Sequence, residues 1–454
     1  MSIIIIGAGA VGFHIASRLS RENRDVVLIE KNENVIRRIP DSLDVQIIHG
    51  SGSSPSVLKK AGIGSSEILI AVTNSDEVNM IACIIAASQS NIPTKIARLR
   101  DTEYEQLYSS EGKEGLHIDL AINPEKESVL NILDLLDVPE AIYVRDFADG
   151  KVRLVGFRIG EELPITNRKL IDIMKDYPEN RFLIAAISRG AATIIPRGND
   201  VILPGDHVFF VSQPKYMPIM LKMIKKEGLK TKRVVIFGGG NIGFYLAQEL
   251  ETRGISTKII EEDEDRCAFL SEHLTNTVIL LGNGTDQDLL KEAGMRGTDA
   301  FIGVTDDDEA NILVCLFAKR MGAKRAMARL TNLSYLQLVS TLGIDVVISP
   351  RLSAVGSILH FIRKGKVLSV SEIGSEDAEA IEVIAMETSD LVNKALKNIK
   401  FPSGSLVATV VRDDMVIIPS GDTVIYPGDR VILFSLRSSI PKVEKVLTVK
   451  LEYF

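Results

Sequence analysis

Two stretches of this 454-residue chain have the residue types and spacing to hold a nucleotide. Gly7-Ala8-Gly9-Ala10-Val11-Gly12 follows four isoleucines, and Glu30 stands 18 residues after the last glycine. Gly238-Gly239-Gly240-Asn241-Ile242-Gly243 follows Val234–Phe237, and Glu261 stands 18 residues after Gly243. In such a turn the first glycine permits the bend. The second lets a pyrophosphate approach the backbone, and the third lets the next helix pack on the strand. The helix N-terminus then offers N–H groups and the positive end of its dipole to phosphates. The acid can accept hydrogen bonds from ribose hydroxyls and repels a 2′-phosphate, which favours NAD over NADP. Lys31 follows Glu30 but Glu262 follows Glu261, so the first site is expected to accept more phosphate charge.

Further candidates lie where strands should end, the ligand side of an open α/β sheet. Thr73-Asn74 closes a fourth strand and Arg98 a fifth; Thr305-Asp306 and Arg329 repeat them. An arginine there could pair with a phosphate, or with Glu103 or a neighbouring domain. Asn74 with Glu77, and Asp306 with Glu309, also read as helix N-caps with a reciprocal glutamate.

Residues for catalysis are harder to find. Hydride transfer needs a proton donor or acceptor beside the nicotinamide. None of the six histidines recurs in the other half of the chain. Cys83 and Cys315 do recur, but in apolar helical surroundings that indicate packing. No His, Cys and carboxylate cluster has metal-ligand spacing, and no GxxxxGK[ST] loop exists. Two nucleotide-shaped sites without visible chemistry suit a sensor, in which a ligand shifts a conformational population.

The elements that must position these residues occur twice. Alongside the glycine turns, "AVTNSDEVN" at 71–79 recurs as "GVTDDDEAN" at 303–311, and "PRGNDVILPGDHVFF" at 196–210 as "PSGDTVIYPGDRVIL" at 419–433. The chain is therefore read as a tandem duplication. In each half, short β-rich runs (3–6, 26–29, 45–48, 68–72 and 96–97 in the first) alternate with helical patterns, predicting a parallel sheet covered on both faces. Asn123-Pro124 and Ser349-Pro350 open helices with an apolar stripe (Val129, Leu133, Leu136; Val355, Leu359, Ile362), expected to make a subunit or domain contact. A small α+β piece follows, with alternating strands such as Val152, Leu154, Gly156, Arg158, and a Pro-Gly-Asp turn. The expected fold class is α/β, a duplicated Rossmann-like parallel-sheet domain followed by a small α+β domain. The expected domains are 1–137, 140–225, 231–365 and 367–454.

Composition excludes other classes. A net charge of −7 with no basic, aromatic-interleaved run argues against nucleic-acid binding. Three scattered cysteines give no disulfide framework and fit a reducing compartment. Met1–Ile6 reads as a strand rather than a signal peptide, and no run of about 18 apolar residues exists, so no membrane insertion is expected.

The order GAGAVG, Glu30, "AVTNSDEVNM", "ARLR", "PGD", then GGGNIG, Glu261, "GVTDDDEANIL", "ARL", "PGD", resembles the TrkA family over the full chain. That resemblance implies tandem RCK (KTN) N- and C-domains and binding of NAD(H), and of ATP or ADP, in the N-domains. It implies a homotetrameric ring regulating a Trk-type membrane potassium subunit, cytoplasmic and peripheral on the inner face of the membrane. Carried over by position, the contacts would be Gly7 to Val11, Glu30, Thr73, Asn74 and Arg98, and Gly238 to Ile242, Glu261, Thr305, Asp306 and Arg329. One departure stands out: Gly50-Ser51-Gly52-Ser53 and Gly282-Asn283-Gly284-Thr285 lack the aspartate of the family's Gly-Asp-x-Ser/Thr. An NAD-dependent oxidoreductase, or an RCK-type regulator of another cation channel or antiporter, are the alternatives.

Overall fold

A computed structural model describes residues 2–447, except 22–23, 41–42, 139, 178–180, 191, 226–229, 336–337, 340–341, 363–366 and 374–377. The expected domain ends at 365 and 454 lie outside the described residues. The chain divides into two compact units, Met1–Ser128 with Ser349–Arg363, and Val129–Ile348 with Lys364–Phe454.

Unit 1 is built on a six-stranded parallel sheet. Its strands are β1 (Ser2–Ile6), β2 (Asp25–Glu30), β3 (Gln46–His49), β4 (Ser66–Ala71), β5 (Thr94–Arg98) and β6 (Leu120–Ile122), in the order β3-β2-β1-β4-β5-β6. This is the doubly wound order, whose crevice opens between β1 and β4 at the carboxyl ends of the strands. β1 lies at the centre because both its faces are apolar: Ile3 to Ile6 are at most 1% exposed. Five strands were expected; β6, only three residues long, is too short to show a period.

Helix Ala10–Arg21 buries Val11, Ile15 and Leu19, one stripe at helical spacing. Helix Pro350–Ile362 follows the second half of the sequence yet belongs to unit 1. Its Val355, Ile358, Leu359 and Ile362 share a core with Ile15 and Leu19. Each such buried side chain contributes roughly 2 kcal/mol of transfer free energy.

Unit 2 contains three sheets. The first has strands β7 (Ala141–Phe147), β8 (Val152–Arg158), β9 (Phe182–Arg189), β10 (Ala192–Ile194) and β11 (His207–Ser212) in the order β10-β9-β11-β8-β7, with antiparallel neighbours. The second has β12 (Arg233–Phe237), β13 (Ser256–Glu261), β14 (Val278–Leu281), β15 (Ala300–Gly303), β16 (Ala326–Arg329) and β17 (Val346–Ile348). It is parallel, in the order β14-β13-β12-β15-β16-β17, matching the sheet of unit 1. The third has β18 (Val367–Ile373), β19 (Ala378–Ile384), β20 (Ser405–Arg412), β21 (Met415–Ile417) and β22 (Arg430–Leu436), antiparallel, in the order β18-β19-β22-β20-β21.

The alternation expected along β8 is not observed: Val152, Leu154, Val155, Gly156 and Phe157 are all buried. One face of its sheet packs on the third sheet, with Leu154 and Phe209 in a core with Ala380 and Phe434. The other face lies with Ile173 and Met220 of two short helices. A strand covered on both sides has no solvent face to mark with polar residues.

Helix Pro124–Asp137 ends in unit 2. There Val129, Ile132, Leu133 and Leu136 share a core with Ile242, Leu246 and Leu250 of helix Asn241–Thr252. The buried Arg325 guanidinium donates to the Leu135 carbonyl at 2.7 Å and to the Ala141 carbonyl, binding the helix end to the start of β7. The apolar stripe on each terminal helix thus packs against the sheet-bearing unit of the other half, so the compact units do not follow the four linear pieces. Among the described residues, no helix is long and apolar enough to cross a membrane. None of them form a His, Cys, Asp and Glu cluster arranged for a metal.

Candidate functional site

The three glycine roles can be read from the geometry of each turn. Gly7 has φ +98° and Gly238 φ +103°, conformations a side chain would strain. At Gly12 an added Cβ would lie 1.9 Å from the Gly7 carbonyl oxygen; at Gly243 it would lie 2.0 Å from that of Gly238. The helix can approach its strand only without that atom. At Gly9 and Gly240 a Cβ would meet nothing within 4 Å. These middle glycines are exposed and leave the approach open. Val11 and Ile242 are buried in the core, so only their main chain remains for a ligand.

Both carboxylates are held in place before any ligand arrives. Glu30, 9% exposed, accepts from the Ala8 N–H at 2.7 Å and, through its other oxygen, from the Asn32 N–H at 2.8 Å. Glu261 accepts from Gly239 N–H at 2.6 Å and from the N–H groups of Glu262 and Asp263 at 2.9 and 3.1 Å. A carboxylate has about four acceptor positions, so Glu30 retains capacity for both hydroxyls of a diol and Glu261 for one.

The opposite flank is organised by a residue that sequence reasoning missed. Asn79, fully buried, accepts from the N–H and hydroxyl of Thr73 at 2.9 and 2.8 Å. It donates to the carbonyls of Thr73 and Arg98 at 3.3 and 2.9 Å. Asn311 makes the same four bonds to Thr305 and Arg329. This amide ties the end of β4 to the end of β5, and β15 to β16. Asp76 and Asp308 add to the clamp, Asp76 by accepting from the N–H groups of Arg100 and Asp101 and Asp308 from those of Thr331 and Asn332. The visible signal was the recurrence of Asp and Asn in "SDEVN" and "DDEAN"; the four-bond pattern requires the fold.

The expected N-caps move by one residue. Ser75 caps helix Asp76–Gln89 by accepting from the Val78 N–H, and Asp307 caps helix Asp308–Arg320 by accepting from that of Ala310. Asn74 and Asp306 stay exposed before the caps. Each meets the arginine of the adjacent strand: Arg98 donates to the Asn74 side-chain oxygen at 3.2 Å, and Arg329 forms an ion pair with Asp306. Arg98 therefore bonds to Asn74 in place of the Glu103 pairing considered above. Burial, then the Arg100 charge, holds its guanidinium below the usual arginine range. Arg100, also missed, donates to the Asn74 carbonyl at 2.6 Å.

The missing aspartates after β3 and β14 are replaced locally. Asn283 accepts from the N–H and hydroxyl of Thr285 at 2.9 and 2.7 Å, and the hydroxyls of Ser51 and Ser53 lie 2.9 Å apart. Arg266, where the first half has Val35, donates to the Gly239 carbonyl at 2.7 Å and lies 4.4 Å over the Phe269 ring.

Family comparison agrees with this duplicated geometry. The TrkA-N domain matches residues 3–124 and 234–350, and the TrkA-C domain matches 154–220 and 380–448. The chain belongs to the TrkA family. It is 38% identical, over all of both chains, to the Trk system potassium uptake protein TrkA of Azorhizobium caulinodans. It is 39% identical, again over all of both, to the protein of that name from Halomonas elongata. Its fold resembles the crystal structure of the GsuK RCK domain (TM-score 0.61, 16% identity, covering 98% of this chain and 95% of that one). It also resembles a GsuK channel bound to NAD (TM-score 0.62, 16% identity, 98% and 79%).

In both TrkA-N segments the candidate residues gather at the carboxyl ends of the central strands. Thr73 lies against Gly7, and Thr305 against Gly238, within 3.1 Å of where a Cβ would stand. Cys83 and Cys315 are buried, with thiols pushed up to about 12 by burial, and are packing residues.

Proposed function

We propose that this chain is a nucleotide-sensing regulatory subunit that gates a membrane potassium transporter. The observation that carries the reading is full-length identity of 38 to 39% to Trk system potassium uptake proteins, in a chain whose two glycine-turn crevices are both intact. The ligands are NAD(H), with ATP or ADP as further candidates. A related fold has been solved with NAD, and the pre-positioned Glu30 and Glu261 suit an adenosine ribose. The contacts are the glycine-turn backbones, Glu30, Thr73, Asn74 and Arg98, and Glu261, Thr305, Asp306 and Arg329. The domains are 1–137, 140–225, 231–365 and 367–454. The chain assembles as a homotetramer, works in the cytoplasm, and meets the membrane through a Trk-type potassium-translocating partner.

Nucleotide binding acts by population shift: a ligand that closes a crevice favours the conformation in which it is closed. Calorimetric titration with NADH, followed by recovery of the ligand, tests the reading. Up to two intact NADH per chain, without continuing heat, is the expected result. Consumption of NADH would replace it with the oxidoreductase alternative. Failure of NADH, ATP and ADP alike would end the sensor reading. Flux through the reconstituted partner should then change with nucleotide; an unresponsive Trk partner would direct attention to another channel or antiporter.

A further inference from the structure

The two crevices match where they would hold adenosine and differ in charge beyond it. In both, the acid that ends β2 or β13 accepts from the N–H of the second residue of the glycine turn, Ala8 or Gly239. Past the ends of β4 and β5 lie Asn74, Ser75, Arg98 and Arg100; past β15 and β16 the same positions hold Asp306, Asp307, Arg329 and Thr331. The first set carries two positive charges and no acid, the second one positive and two negative.

The hydrogen bonds determine what those charges can do. In the first crevice both arginines meet the uncharged Asn74: Arg98 donates to its side-chain oxygen and Arg100 to its main-chain carbonyl. The two cations lie together with no carboxylate among these four positions; the acids whose charge reaches Arg98 are Glu125 and Asp76, outside them. In the second, Asp306 pairs with Arg329, Asp307 is occupied as a helix cap, and Thr331 stands where the first crevice has Arg100. An anionic group arriving there must displace Asp306 from Arg329 and remain beside its charge.

We infer that these four positions sort ligands by the charge of the group beyond the adenosine. The first crevice takes adenine nucleotides that end in a polyphosphate. The second rejects them and takes a dinucleotide whose distal group is cationic, the oxidised nicotinamide. This rests on the nucleotide reading above. One charge change about 6 Å from a phosphate, at an effective dielectric near 40, corresponds to roughly tenfold in affinity.

The test uses the full chain with one crevice blocked at a time. Gly9→Asp and Gly240→Asp put a carboxylate where phosphate would approach, at positions with free space for it. AMP, ATP and NAD+ are titrated into each. The ATP-to-AMP affinity ratio should be at least ~10-fold higher with only the first crevice open, and NAD+ should outbind ATP with only the second open. Asn74→Asp should lower the first ratio and Asp306→Asn raise the second, each by ~10-fold, and added salt should shrink both changes. Both side chains are exposed, so the fold tolerates these exchanges. Equal ratios in the two crevices, or ratios indifferent to the exchanges, overturn the sorting and leave nucleotide binding intact. If none of the three ligands binds either crevice, the nucleotide reading itself falls.

Discussion

The first and second glycine-turn crevices share a hydrogen-bond skeleton and differ in charge. A Cβ at the third glycine would strike the same carbonyl at 1.9 and 2.0 Å, and Asn79 and Asn311 make matching sets of four bonds. Lys31, Asn74 and Arg100 become Glu262, Asp306 and Thr331. Duplicated halves cannot easily change a buried amide that satisfies several backbone groups at once, because each unmade bond costs folding free energy. Exposed charges at the strand ends cost little to fold either way and are free to diverge.

The comparison can be broken most severely at the glycines. Gly12→Ala and Gly243→Ala should each destabilise their half by about 3 kcal/mol or more, since backbone must move. Thermal unfolding should show matched losses; a tolerated alanine in one half alone would mean that its helix and strand are not held as closely as described. Asn79→Leu and Asn311→Leu come next. Each strands the Thr N–H and carbonyl, and should cost roughly 3 kcal/mol in urea unfolding. Unequal losses would show that the clamp matters in only one crevice.

Smaller effects sharpen the contrast. Glu30→Ala and Glu261→Ala should weaken AMP binding roughly 10- to 100-fold, each only in its own crevice, through loss of a charge-assisted bond to the ribose. Unchanged AMP affinity after Glu30→Ala would remove that residue from the site. Smallest are the caps: Ser75→Ala and Asp307→Ala should each cost ~1 kcal/mol. Only the Asp307 contribution should fall with added salt, because only it carries a charge at the helix dipole. Identical salt dependence would argue that the two ends feel the same field.

Much of the fold was legible because it is written in short-range patterns. The isoleucine run of β1, the glycine turns and the Asn123 cap are local, and the cap forms as read, with Asn123 accepting from the Glu125 N–H at 3.1 Å. The caps near residue 75 were misread by one position because Asn-Ser and Asp-Asp each offer two competent side chains. Only the backbone shows that Ser75 and Asp307 are the ones turned toward the helix. Asn79 went unnoticed because its partners lie outside its own helix; its bonds reach Thr73, before the helix begins, and Arg98, 19 residues away.

By itself, the sequence determined that the chain is duplicated, that each half carries a doubly wound sheet, and that an acid faces each glycine turn. These depend on periodicity and on steric rules that act within a few residues. Tertiary structure alone decided that the terminal helices pack with the opposite half, and that the small sheets are covered on both faces. It also decided which arginines meet an amide and which an acid. Those outcomes depend on which surfaces are brought together, and burial and hydrogen-bond pairing across long separations are properties of the folded chain.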